Sequence, residues 1–170
     1  MLRMLTQPAD TVRVSELLAY AEDEWRRWRA WLEQHPAALD VKVDIADAKQ
    51  VRDVVKHIVL VDLRYAQWLT GEPLTAPDGL DRLTPAGLFD EGDRAYALLR
   101  RLGDSTPDEK WAEALPFPKP LEHMKPTRRK CAVHVVFHST RHWAQLATAL
   151  RAAGHPTDWQ HDFVLASAMA

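Results

Sequence analysis

Three histidines recur at four-residue intervals in His134-Val-Val-Phe-His138-Ser-Thr-Arg-His142-Trp-Ala-Gln145. Neutral imidazole is the commonest side-chain metal ligand. On a helix, residues i and i+4 lie one above the other, so His138 and His142 stand one turn apart, roughly 6 Å along the axis, and can converge on one ion. His134 and His142 are two turns apart, roughly 12 Å, too far to share that ion easily. The spacing therefore predicts two ligands from this helix and a third from elsewhere. Cys131, His134 and Gln145 lie on the same stripe. Each could stand behind the ligands or line a pocket, and each has a plainer reading: Cys131 as a small buried filler, His134 as a hydrogen-bonded helix residue, Gln145 as helix surface.

The elements that must position these residues follow from apolar periodicity. A first helix is expected from about Val14 to Gln34, with Ser15 as its cap and Leu18, Ala21, Trp25, Trp28 and Leu32 as its buried stripe. Trp31 projects away from Trp25 and Trp28, which makes it a candidate subunit contact. Val41-Lys-Val43-Asp-Ile45 alternates and could form a short extended segment. A second helix is expected over about Ala46 to Thr70, ended by Gly71 and Pro73. His57 falls at the border of its apolar arc, and Asp62 and Arg64 beside that stripe read as a salt bridge. Thr84-Pro85 opens a third helix running to about Gly103. Thr106-Pro107 starts a short one through Leu115. Pro116, Pro118, Pro120 and Pro126 then forbid regular helix over a long connection, of a kind that often covers a site. The fourth helix runs from about Thr127 to Ala153. The tail is expected to pack through Trp159 and Phe163, and His35, His123, His155 and His161 read as surface residues.

These elements make an all-α four-helix bundle, with one additional short helix and the proline-rich connection, in a single domain over residues 1–170. The bundle puts His57 and the His138/His142 pair on facing helices. Three histidines would leave a coordination position open, the arrangement of catalytic rather than structural zinc. Nickel, iron(II) or cobalt would suit imidazole comparably.

Composition narrows the function classes. With 22 basic and 24 acidic side chains interspersed, the formal net charge is −2, which argues against a nucleic-acid footprint. One cysteine gives no disulfide framework and suits a reducing compartment. No signal-like segment opens the chain and no apolar run is long enough for a membrane span, so a cytoplasmic protein is expected. There is no P-loop, GxGxxG, GxSxG or CxxC.

Two segments carry a resemblance that spans nearly the whole chain. His57-Ile-Val-Leu-Val-Asp-Leu-Arg-Tyr65-Ala-Gln-Trp-Leu69 and His138-Ser-Thr-Arg-His142-Trp-Ala-Gln145, followed by a leucine-rich turn and Gly154, resemble the DinB/YfiT-like superfamily of metal-binding four-helix bundles. The resemblance implies His57, His138 and His142 as the metal ligands and leaves His134 outside them. Many relatives carry Arg-Gly after the second ligand of the pair, where this chain has Trp143-Ala144, so packing is expected to differ there. The resemblance also implies a divalent ion, zinc or nickel, and a thiol S-transferase acting on a small-molecule thiol and an electrophile, in a homodimer. The alternative is a non-catalytic metal-binding or stress-related bundle. The proline-rich 116–126 connection is expected at the rim that holds the electrophile.

Overall fold

The computed structural model describes residues 12–45 and 47–166. Four helices form the body: α1 (Val14–Gln34), α2 (Val51–Thr70), α3 (Pro85–Ser105) and α4 (Arg128–Ala152). Helices α1 and α2 each pack against both α3 and α4. This is the expected all-α bundle.

The helix ends follow local chemistry. Thr84 caps α3 by accepting from the Gly87 amide at 3.2 Å, with Pro85 in the first turn. Thr127 caps α4 in the same way, from the Lys130 amide. Gly71 ends α2 at φ 78°, a left-handed conformation that costs glycine little. Ser15 does not cap α1. The helix begins at Val14, and the Arg13 amide donates to the Glu16 carboxylate at 2.7 Å.

Helix α2 starts later than its periodicity suggested. Val41 to Ile45 is extended, as its alternation implied, and its strand β1 (Lys42–Ile45) pairs antiparallel with β2 (Ala48–Gln50). Ala46, the expected start, lies outside the described residues. The Gln50 amide donates to the Asp53 carboxylate at 3.0 Å, which fixes the helix entry at Val51. The segment after α3 is a short 3₁₀ helix, Asp108–Ala112, rather than a helix reaching Leu115.

Indoles fill the core. Trp25, Trp28 and Trp143 are buried, and the Trp28 and Trp143 rings stack with centroids 4.9 Å apart and planes 15° from parallel. Trp143 thus binds α4 to α1 from the core face, as its position suggested. Trp31 is buried too, edge-on to Trp28 and stacked on His35, so it is no subunit contact: the third indole closes the α1 core instead of leaving it. The tail packs as expected, Trp159 against Trp28 and Phe163 against Tyr20. His161 is not a plain surface residue; it stacks on Trp28 and reaches Glu24 at 3.3 Å. Among the described residues, no helix is long and apolar enough to cross a membrane.

Candidate metal centre

The phase of α2 puts His57 at the edge of its buried arc, between Val54 and Ile58, and the phase of α4 turns His138 and His142 inward beside Val135 and Leu146. The rings meet. One potential ligand nitrogen from each of His57, His138 and His142 lies within 4.8 Å of the others, and Nε2 of His57 is 3.0 Å from Nε2 of His138. In tetrahedral coordination two nitrogens each about 2.1 Å from a common ion stand about 3.4 Å apart, so the His57–His138 pair is already near that spacing and the widest pair would close by at most about 1.4 Å. The donor set fits a divalent transition metal.

Charge at the site favours the ligating form of each ring. Burial pushes the His138 imidazole down to about 3, reinforced by the neighbouring rings of His142 and His57. His57 is lowered by partial desolvation and then by the Arg141 guanidinium; His142 is lowered by burial, then by His57 and Arg141. All three are neutral at pH 7, and only neutral imidazole has a lone pair to offer. Nδ1 of His138 is buried without a hydrogen-bond partner, so the ring's polar contact is the one its Nε2 makes with His57.

The neighbours divide into those that touch the site and those that do not. Nδ1 of His142 meets the Gln145 side-chain oxygen at 2.9 Å, and its Nε2 lies 3.1 Å from the Arg141 guanidinium, a contact an ion bound through Nε2 would have to displace. His134 stays outside the triad, exposed, with its ring centroid 5.7 Å from that of His138 and 5.1 Å from that of Tyr65. Cys131 is buried with its thiol pushed up to about 11 by burial, which makes it a filler and not a nucleophile.

Arg141 was not singled out by sequence. Its guanidinium lies 3.1 Å from Nε2 of His142, depresses all four histidines of the cluster and makes no ion pair among the described residues. Asp62 and Arg64 form no salt bridge. Asp62 is buried in the core, accepts from the Tyr96 hydroxyl at 2.8 Å and from Ser139 at 2.7 Å, and has its carboxyl pushed up to about 7 by burial. Arg64 instead donates to the Thr75 carbonyl at 2.5 Å.

A cavity of about 460 Å³ opens onto His57 and His142, walled by Ile45 and Ala48 of the hairpin and by Val54 and Lys56 of α2. The hairpin, not the proline-rich connection, forms this rim. The connection is anchored through an isolated bridge between Ala114 and Thr127 and lines a separate groove beyond Tyr65. Distance from the triad explains the difference: Tyr65 is eight residues along α2 from His57, roughly 12 Å.

No curated protein matches the chain. The DinB family profile matches residues 4–166, which include all three converging histidines. With a helical bundle and a three-histidine cluster that could hold a metal ion, the chain belongs to the DinB family.

Proposed function

We propose that this protein is a metal-dependent thiol S-transferase whose divalent ion, zinc or nickel, is held by His57, His138 and His142. The observation that carries this reading is the cavity opening onto His57 and His142. A site that only ties helices together is closed by four protein donors, whereas three imidazoles, two of them lining a cavity, leave a position for a small ligand. An ion bound there supplies Lewis acidity, holding a thiol or water in its nucleophilic form near neutral pH.

The chain's own residues provide the rest. Gln145 orients the His142 ring. The Arg141 cation beside His142 attracts an anionic thiolate and adds to the burial that holds the histidines deprotonated. Ile45, Ala48 and Val54 offer the electrophile an apolar wall, alongside the charged Asp47, Asp53 and Lys56 that also line the cavity.

Metal-replete protein should consume a low-molecular-weight thiol in the presence of an epoxide, haloalkane or quinone. His138→Ala should lower that rate by more than about 100-fold while leaving the melting temperature of the metal-free protein within a few degrees of the metal-free parent's. The bundle does not need the ion to join α2 to α4, because the Asp62–Ser139 hydrogen bonds and the apolar core already do so. A non-catalytic metal protein predicts the reverse: no turnover with any pair, and a large loss of thermal stability in the variant.

A further inference from the structure

The proline-rich connection makes a second cleft with no part in the metal centre. Phe117 packs on two α2 rings, its centroid 6.0 Å from Tyr65 and 4.7 Å from Trp68. Tyr65 and Trp68 are themselves 5.9 Å apart at 62°. The three half-buried rings floor a groove of about 210 Å³, bordered by Leu121 and by two cations, Arg64 and Lys119.

The charges here are unbalanced. Among the described residues, neither Arg64 nor Lys119 has a carboxylate partner: Arg64 spends one N–H on the Thr75 carbonyl and Lys119 makes no ion pair. Other bases, such as Lys125, Arg129 and Arg141, also make no ion pair among the described residues; what sets Arg64 and Lys119 apart is that both border one aromatic groove. Leu121 and Leu74 stay exposed at the edge. An aromatic floor with two free cations at its rim matches a ligand that is flat and apolar at one end and anionic at the other. The volume sets its size. An apolar cavity of about 150 Å³ accommodates benzene, so this groove takes one aromatic ring with a short acidic arm.

We infer that the groove formed by Tyr65, Trp68 and Phe117, with Arg64 and Lys119 at its rim, binds a small aromatic carboxylate at a site separate from the three-histidine centre. The ring lies against Trp68 and Phe117, and the carboxylate faces Lys119 and the free N–H groups of Arg64. A ligand of this size cannot reach the histidines, since Tyr65 stands roughly 12 Å along α2 from His57. Tyr65 and His134 form the wall between the two sites.

Titration of the full-length protein with phenylacetate, followed through the Trp68 indole N–H resonance (assigned with Trp68→Phe), tests this. A saturable shift is expected, and 2-phenylethanol, which keeps the ring and lacks the charge, should bind several-fold more weakly. Lys119→Gln should weaken phenylacetate roughly three- to fivefold, as loss of an exposed ion pair does. Lys119→Glu should weaken it further, with the melting temperature unchanged in both. His138→Ala should bind phenylacetate as the parent does. Equal binding of the acid and the alcohol, no saturable shift at Trp68, or loss of binding in His138→Ala would each overturn the inference. The last would put the carboxylate on the metal centre. Because the assay needs neither metal nor turnover, it can fail while the transferase reading stands, and the reverse.

Discussion

Asp62 is the residue whose chemistry most departs from its surroundings. It is 1 % exposed, among leucines and valines, with only the Tyr96 and Ser139 hydroxyls for company. Burial disfavours its charged form, so its carboxyl loses a proton at about 7 in the folded chain against 3.8 when exposed. The folded state therefore holds that proton more tightly than the unfolded state. The resulting stability is fully present below about pH 4 and is lost as the pH rises to about 7, by roughly 4 kcal/mol at most. Asp62→Asn keeps a carbonyl to accept from Tyr96 and an amide to donate to Ser139, and it should abolish this dependence. Urea unfolding of both proteins between about pH 4 and pH 8 checks it: the difference in stability between them should change across that window and flatten above it. The sign is opposite for His138, whose lowered value makes stability fall with acid below about pH 6.5, so the comparison must be made with the variant and not with pH alone. Asp62 was misread as the partner of Arg64, although a signal for its true role was there. Ser139 falls at the centre of the apolar face of α4, and a polar residue in the buried arc of each of two facing helices is the pattern of a buried hydrogen bond. Arg141 was not legible, because an arginine between two histidines can turn its long side chain to either flank of the helix.

At the scale of elements, the helices could be read because their apolar residues repeat every three or four positions and their ends carry threonine, proline and glycine. Strand β2 could not. Ala48-Lys-Gln has neither alternation nor β-branched residues, and it is extended because β1 beside it offers backbone partners. That one pairing shortened α2 and built the rim of the metal cavity, which is why the rim was misassigned to the proline-rich connection. The meeting of α1 and α3 rests on Gly92, where a Cβ would overlap the Trp25 indole. Trp25 has no room to retreat, since it packs against Phe89, Tyr96 and Trp143 and donates to Asp93 at 2.8 Å. Gly92→Ala gains helix propensity yet should destabilise the bundle by about 1–3 kcal/mol or more. Chemical denaturation would show a lowered midpoint with an unchanged slope. Trp143→Ala removes the stacked ring that joins α4 to α1 and should cost about 3–5 kcal/mol.

For the whole molecule, the triad couples metal to folding. The three donors come from two helices 81 residues apart at their nearest pair, so an unfolded chain does not assemble them. Binding to the folded state alone stabilises it by about 2.7 kcal/mol at a hundredfold excess over Kd. For a chain of this length that raises the melting temperature by roughly 5–10 °C. Calorimetry with zinc and with nickel should show this rise in the parent and none in His57→Ala or His138→Ala.

The parallel Trp28 and Trp143 indoles, one from each of two helices, have an optical consequence. Rings held this close exchange excitation, and Trp28 also lies near Trp31 and Trp159, so the folded chain should display an exciton circular-dichroism band whose shape changes when α4 leaves α1. Recorded during treatment with a chelator, that band distinguishes a protein that has merely given up its ion from one whose framework has come apart.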